Sequence, residues 1–127
     1  MAWTYAQKTG ILSHNGQTVA TGYAGGECGR SPIGKNNPAM QNVPKVGPLP
    51  CGKYTFGTPV PQSHLGSFAI PLQPSPYNEM FGRSDFYCHG DTTPSGNASE
   101  GCVIVPRAIR NAMAASPDQE LEVVSGE

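Results

Sequence analysis

The stretch from Phe86 to Val105, FYCHGDTTPSGNASEGCVIV, has a short apolar strand on either side of a polar, glycine-rich loop. The first strand ends at His89, and the second begins at Cys102, thirteen residues later. Successive side chains of a strand point to opposite faces, so His89 and its neighbour Cys88 are predicted to face apart. Two adjacent antiparallel strands joined by this loop would bring His89 and Cys102 to one end of a β-sheet.

Short strands and turn formers dominate the rest of the chain. Its 127 residues include 16 glycines and 13 prolines without a fixed period, which is typical of a loop-rich β domain and not of a repeat array. Asn15-Gly16 suits the positive φ angles of a two-residue hairpin turn. Strands are predicted at residues 3–5, 11–23 (as a hairpin), 51–57, 67–72, 85–89, 102–105 and 121–124. Residues 1–127 are therefore predicted to form one mainly β domain.

One helix and one long loop complete the predicted architecture. Pro106 suits the start of a helix over residues 107–115, and Pro117 suits its end. The spacing of Ala108, Ile109, Ala112 and Met113 predicts that one helical face packs on the sheet. Residues 22–50 are rich in glycine and proline and form no predicted element. Such a long loop is uncommon in a compact domain unless it has a function, so we expect it to cover or line a cleft.

Composition and charge exclude several classes of protein. Only 13% of the residues are charged and the net charge is -1, so no basic surface for nucleic acid or anionic membrane is predicted. No segment approaches the roughly 20 apolar residues of a membrane helix. The N-terminal residues MAWTYAQKTG lack the basic start and apolar run of a secretory signal, which predicts synthesis in the cytoplasm without such a signal.

The four cysteines do not match a disulfide-dense framework or a paired zinc motif. A bridge between Cys28 and Cys51 and a pair of free thiols both remain open. Cys88 is expected to be a buried structural residue, and a zinc site that combines it with His89 and Cys102 fits no usual ligand spacing.

Cys102 and His89 are residues that nucleophilic catalysis by a thiol requires. A thiolate attacks carbonyl carbon, and a nearby imidazole can take the thiol proton and later donate a proton to the leaving amine. Gly101 before the cysteine permits close approach of the backbone, so the amides of Gly101 and Cys102 could stabilise an oxyanion. A lone cysteine or histidine is more often structural, and His14 and His64 are interpreted so. His89 and Cys102 differ from such structural residues because they occur together, with Gly101, in the pattern that thiol catalysis requires.

This pattern resembles the active-site motif of L,D-transpeptidases of the YkuD-like fold, in which His-Gly on one strand precedes Ser/Thr-x-Gly-Cys. The matching residues are His89-Gly90 and Ser99-Glu100-Gly101-Cys102. The chain is most similar to the small type VI secretion L,D-transpeptidase effectors. Short fragments that resemble those of these effectors occur in the same order as in the effectors and cover nearly the whole chain. They are Gly22-Tyr23-Ala24-Gly25, Asn36-Asn37-Pro38, Gly47-Pro48-Leu49-Pro50, Gly52-Lys53-Tyr54, Gly82-Arg83-Ser84-Asp85-Phe86 and Pro106-Arg107. Housekeeping members often have His where Glu100 stands, and Asn or Arg where Val103 and Ile104 follow the cysteine.

The resemblance implies a mainly β sandwich or barrel with one short helix after the cysteine strand. It also implies that Cys102 attacks a peptidoglycan stem tetrapeptide at the L-centre of the diamino acid and releases the terminal D-alanine. His89 would act as base and then as acid, and the backbone carbonyl of Ser99 would orient it. The acyl-enzyme could pass to water, to a D-amino acid or to another stem amine. No metal or organic cofactor is implied.

The candidate substrate-binding residues are Gly90, Asp91, Tyr23 and Arg107. Asp91 could instead cap the loop, or hold His89, and the cap is the preferred interpretation. Tyr23 could line a cleft or be a strand aromatic. Arg83 is expected to form a salt bridge with Asp85 or another carboxylate.

Location and partners follow from the resemblance together with the missing signal sequence. Peptidoglycan lies outside the inner membrane, so the protein is expected to be delivered as an antibacterial toxin into the periplasm of a rival cell. Such a role implies a cognate immunity protein and a carrier on the secretion apparatus. Two alternatives remain open: a cysteine peptidase or amidase that cuts the stem elsewhere, and a non-catalytic wall-binding module.

Overall fold

The computed structural model describes residues 2–63, 65–91 and 96–127. These residues form nine strands, three single-turn 3-10 helices and one α-helix. The strands are β1 Trp3–Ala6, β2 Ile11–His14, β3 Gln17–Thr21, β4 Gly52–Phe56, β5 Val60–Ser63, β6 Gly66–Pro74, β7 Phe86–His89, β8 Val103–Ile104 and β9 Glu120–Val124; the helix is α1 Arg107–Ala115. The prediction of a mainly β chain with one short helix is confirmed. No helix of the described residues is long and apolar enough to cross a membrane.

The strands form one sheet in the order β3-β2-β1-β9-β4-β6-β7-β8, and β5 pairs with β6 outside this path. The last strand of the chain, β9, lies inside the sheet, parallel to β1 and antiparallel to β4. The two ends of the path meet where Tyr23, two residues beyond β3, forms an isolated bridge with Ile104 of β8. The sheet is therefore curled, and its closure lies beside the predicted site.

The core is built from alternate positions of the central strands. Tyr54 and Phe56 of β4 are buried on one face while Lys53 and Thr55 are exposed, as the alternation of side chains along a strand requires. The largest fully buried side chains include Tyr5, Leu12, Leu49, Tyr54, Ile70, Met113 and Leu121. Alternation on β9 adds Leu121 and Val123 to the same core cluster.

The predicted hairpin is confirmed, but two strand predictions were incomplete. Asn15 and Gly16 have φ angles of 52° and 78° between the paired strands β2 and β3. The segment Val60–Ser63 was not predicted as a strand, and β6 continues past Pro71 to Pro74. Pro71 lies within the ladder with β7, opposite Tyr87, and its carbonyl accepts a hydrogen bond of 2.8 Å from the Gly57 amide.

β7 and β8 are parallel, whereas the sequence analysis expected antiparallel strands. Adjacent parallel strands need a connection of about a dozen residues or more, and residues 90–102 satisfy this requirement. The pairs Cys88–Val103 and His89–Ile104 fix the register. The side chain of Cys88 enters the core, as predicted.

The helix has its predicted limits but a different buried face. Pro106 is its N-cap, and Arg110 and Met113 are the buried residues, whereas Ala108 and Ala112 are exposed. The face that packs on β6 and β7 is thus rotated from the predicted one. Alanine is small enough for either face, so the apolar spacing did not determine the orientation.

Leu121→Ala should lower the free energy of unfolding by about 2–5 kcal/mol, because Leu121 is fully buried in a central strand and truncation leaves a cavity. Urea unfolding would measure the loss. Glu122→Ala on the exposed face is the matched control and should change stability by less than about 0.5 kcal/mol. Equal, small effects for both variants would contradict the central position of β9.

Candidate active site

A cavity of about 1060 Å³ lies at the ends of β7 and β8, and both His89 and Cys102 line it. Cys28, Pro44 and Lys45 of the long loop form part of its wall, so this loop does line a cleft. Its other charged lining residues are Arg83, Asp85, Asp91 and Glu100. The cavity therefore combines the predicted catalytic pair with groups of both charges.

The parallel register places His89 and Cys102 on the same face of the sheet. Cys88 is paired with Val103, so Cys102 lies level with Tyr87, two positions before His89. Side chains at paired and alternate positions point to one side. The amide of Tyr87 donates a hydrogen bond of 3.3 Å to the Cys102 sulfur, which fixes the thiol at this end of β7.

The thiol of Cys102 is protonated at neutral pH. Burial raises its pKa to about 11, and the negative charge of Glu100 acts in the same direction. The Tyr87 amide and the positive charge of Arg83 lower the pKa without cancelling the effect of burial. The resting site therefore holds a thiol and not a preformed thiolate, and a base must remove the proton during any attack.

His89 is almost fully buried, and its Nδ1 lies 3.0 Å from the carbonyl oxygen of Gly90. A carbonyl only accepts hydrogen bonds, so this contact assigns the hydrogen to Nδ1 and leaves Nε2 with a lone pair in the neutral ring. The expected partner, the carbonyl of Ser99, instead accepts from the amide of Cys28 at 3.0 Å. The carbonyl that contacts the imidazole is thus that of Gly90, whereas the resemblance assigned this contact to Ser99.

The side chain of Ser99, not its carbonyl, organises the cysteine turn. Its hydroxyl is completely buried, donates to the Cys102 carbonyl at 2.6 Å, and accepts from the amides of Gly25 at 2.8 Å and Gly101 at 3.0 Å. The long loop and the turn before β8 are therefore held by one oxygen atom.

Only one of the two predicted oxyanion donors is available. The Gly101 amide is used by Ser99, whereas the Cys102 amide has no hydrogen-bond partner among the residues that the structure describes. Gly101 has a φ of 132°, and a Cβ there would lie 2.7 Å from the Arg83 guanidinium and 2.8 Å from the Phe86 ring. Glycine is thus required at 101 by backbone conformation and by packing.

Tyr23 and Asp91 brace the loop between β7 and β8. The Tyr23 hydroxyl donates to the Asp91 carboxylate at 2.5 Å and accepts from the Ala98 amide at 2.9 Å, while the Gly96 amide donates to both carboxylate oxygens. Asp91 therefore caps the loop, the preferred interpretation. Burial, together with the bond to Asp91, raises the pKa of Tyr23 far above its ordinary value. Its ring is buried under the Lys35 ammonium, 4.3 Å away, and lines no part of the main cavity.

Arg107 is not brought to the cavity. Its guanidinium donates to Asn111 at 3.0 Å and to the Ser67 hydroxyl at 3.1 Å, and it lies over the Phe68 ring. These contacts attach an exposed side chain to the end of β6.

Arg83 is a site residue whose role the sequence analysis missed. It is buried and lines the cavity, and it donates to the backbone carbonyls of Gln41, Pro48, Gly47 and Glu100 at 2.6, 2.8, 3.1 and 3.2 Å. Within the described ranges it has no carboxylate partner, so the predicted salt bridge with Asp85 was wrong. Its acceptors are backbone atoms up to 42 positions away, and no side-chain pattern marks them.

His14 stacks on Trp3 with ring centroids 4.0 Å apart and lies 2.6 Å from the Asp118 carboxylate, a structural role as interpreted. His64 lies outside the described residues. Cys28 and Cys51 are both free thiols, and Cys51 contacts Gln7 at 3.3 Å.

Ser99→Ala should lower the free energy of unfolding by about 2–4 kcal/mol, because it leaves two buried amides and one carbonyl without their partner. Thermal or urea unfolding would show the loss. Ser84→Ala, an exposed serine that lines the same cavity, is the control and should be nearly neutral. Equal stability of Ser99→Ala and the wild type would show that the hydroxyl does not hold the turn.

The alkylation rate of Cys102 by iodoacetamide should rise with pH through pH 9 without a plateau near neutrality. The reason is that only the thiolate reacts and the pKa of this thiol is about 11. Peptide-resolved mass spectrometry would separate Cys102 from the other cysteines. A plateau below pH 8 would instead demonstrate a thiolate–imidazolium pair in the resting protein.

Comparison with models of known protein families matches residues 20–125 to the Tlde1 domain. No curated protein and no solved structure matches the chain. The matched region runs from the end of β3 to just beyond β9 and contains His89, Ser99 and Cys102. The chain therefore belongs to the Tlde1 domain family, which is associated with type VI secretion effectors of the L,D-transpeptidase type.

Proposed function

We propose that this protein is an antibacterial effector that acts on peptidoglycan as a cysteine L,D-transpeptidase and L,D-carboxypeptidase with a YkuD-like fold. The observation that carries the proposal is the position of the Cys102 thiol and the His89 imidazole on one face of two parallel strands, in the wall of one cavity. Membership of the Tlde1 domain family supports the same activity.

The first half-reaction forms a thioester on Cys102. The thiol is protonated at rest, so Nε2 of His89 removes its proton as the sulfur attacks the carbonyl at the L-centre of the diamino acid. The Cys102 amide donates to the oxyanion that develops on that carbonyl. The peptide C–N bond then breaks, and His89 donates the proton to the amine of the departing D-alanine.

The second half-reaction transfers the acyl group to an acceptor. Water gives a tripeptide stem, a D-amino acid gives an exchanged stem, and a stem amine gives a cross-link. His89, neutral again, takes a proton from each of these acceptors. Lys45 and Asp85 are charged lining residues of opposite sign, which suits a diamino acid that carries a free amine and a free carboxylate.

Delivery to another cell follows from the family and from the location of the substrate. Type VI secretion transfers proteins out of the producing cell, and peptidoglycan lies in the periplasm of the recipient. We therefore place the active protein in the target periplasm, after synthesis in the producer cytoplasm. An immunity protein in the producer and a carrier on the secretion apparatus are the partners that this route requires.

The purified protein should remove the terminal D-alanine from muropeptides with tetrapeptide stems, and should exchange it for D-methionine when that amino acid is added. Mass spectrometry distinguishes the products. Cys102→Ala should abolish both reactions, and His89→Gln should slow them by roughly 10²–10⁴-fold, the usual contribution of a general base. Cys51→Ala removes a thiol outside the cavity and should retain activity.

Two outcomes would contradict the proposal and favour one of the alternative functions. Cleavage of a different bond of the stem would identify a peptidase or amidase. Retention of intact muropeptides without any cleavage, unchanged by Cys102→Ala, would identify a wall-binding module.

A further inference from the structure

Five consecutive residues of the long loop have left-handed backbone conformations. The φ angles of Gly25, Gly26, Glu27, Cys28 and Gly29 are 89°, 107°, 50°, 54° and 91°. The amide of Gly29 donates to Gly26 at 2.9 Å and that of Arg30 to Glu27 at 3.0 Å, so the segment is a single left-handed turn. Left-handed backbone is unfavourable for residues that carry a Cβ, and Cys28 is held there against this preference.

Contacts to the cysteine turn hold this segment in place. The Cys28 amide donates to the Ser99 carbonyl at 3.0 Å, and the Gly25 amide donates to the Ser99 hydroxyl at 2.8 Å. The same hydroxyl donates to the Cys102 carbonyl. Cys28 and Cys102 are therefore positioned by one residue.

The two thiols share the cavity. Cys28 is exposed and Cys102 is half-buried, and both line it. Burial is the main cause that raises the pKa of each thiol. A negative charge on Cys28 would raise the pKa of Cys102 further. The two sulfur atoms therefore lie close enough to interact electrostatically. Cys51 contacts Gln7, and Cys88 lies in the core, so neither lines this cavity.

We propose that Cys28 and Cys102 are a redox pair that reversibly closes the site by forming a disulfide. A peroxide oxidises the exposed Cys28 thiol to a sulfenic acid, and the peroxide O–O bond breaks to release one water. The sulfur of Cys102 then attacks the Cys28 sulfur, the S–O bond breaks, and hydroxide leaves with the Cys102 proton as a second water. The two electrons come from the two thiols, and a dithiol reductant restores both.

The consequence for activity rests on the proposed function, because the disulfide removes the nucleophile. The bacterial periplasm is an oxidising compartment. Oxidation there limits how long a protein delivered in the reduced form remains active.

The reduced full-length protein is treated with hydrogen peroxide, its remaining thiols are blocked with N-ethylmaleimide, and it is digested without reductant. Mass spectrometry should identify a peptide pair joined through Cys28 and Cys102, which dithiothreitol separates. Cys28→Ser should eliminate this species, whereas Cys51→Ser should leave its yield unchanged. Circular dichroism before oxidation establishes that each variant is folded.

A Cys28–Cys51 peptide pair, or sulfonic acid on Cys28 with Cys102 still alkylated by N-ethylmaleimide, would overturn the redox pair. These readouts are peptide masses and do not depend on enzymatic activity. The redox pair and the proposed enzyme can therefore fail separately. A Cys28–Cys102 disulfide in a protein whose reduced form leaves tetrapeptides intact would uphold this inference and refute the proposed enzyme.

Discussion

The geometry of the site depends on a single hydroxyl group, that of Ser99. A serine hydroxyl can donate one hydrogen bond and accept two, and this one does all three, to Cys102, Gly25 and Gly101. It is buried, so no water can replace a lost partner. The position of Cys102 and the path of the long loop are therefore consequences of the same local interaction, and neither can shift without leaving buried polar groups unpaired.

Arg83 extends this constraint to the rest of the loop. Residues 22–50 contain no strand of the sheet, so their order comes from backbone hydrogen bonds outside the ladders and from side chains that reach into them. Four backbone carbonyls surround the Arg83 guanidinium in place of a carboxylate, and their dipoles compensate a buried charge that would otherwise be costly. Because this charge also lowers the pKa of Cys102, the group that orders the loop contributes to the electrostatics of the thiol.

Local features of the sequence predicted local features of the structure. The Asn15-Gly16 turn, the limits of α1 and the common cavity of His89 and Cys102 all follow from neighbours in sequence or from a short motif. What could not be predicted involves partners distant in sequence. One example is the direction of β8 relative to β7. Another is the set of four backbone carbonyls that accept hydrogen bonds from Arg83. Both depend on how separate segments pack together, and no sequence periodicity encodes that packing.

Under the proposed function, the register of β7 and β8 and the protonation of the thiol together favour a proton transfer that accompanies the attack of the sulfur. His89 and Cys102 lie two positions apart along parallel strands, on one face, and burial keeps the thiol neutral. A permanent thiolate would suffer alkylation and oxidation in the absence of substrate. Under the proposed function a base must remove the thiol proton as the sulfur attacks, and the base is Nε2 of His89, whose Nδ1 contacts the Gly90 carbonyl. The same burial that makes Cys102 a weak nucleophile at rest also slows its direct alkylation and oxidation.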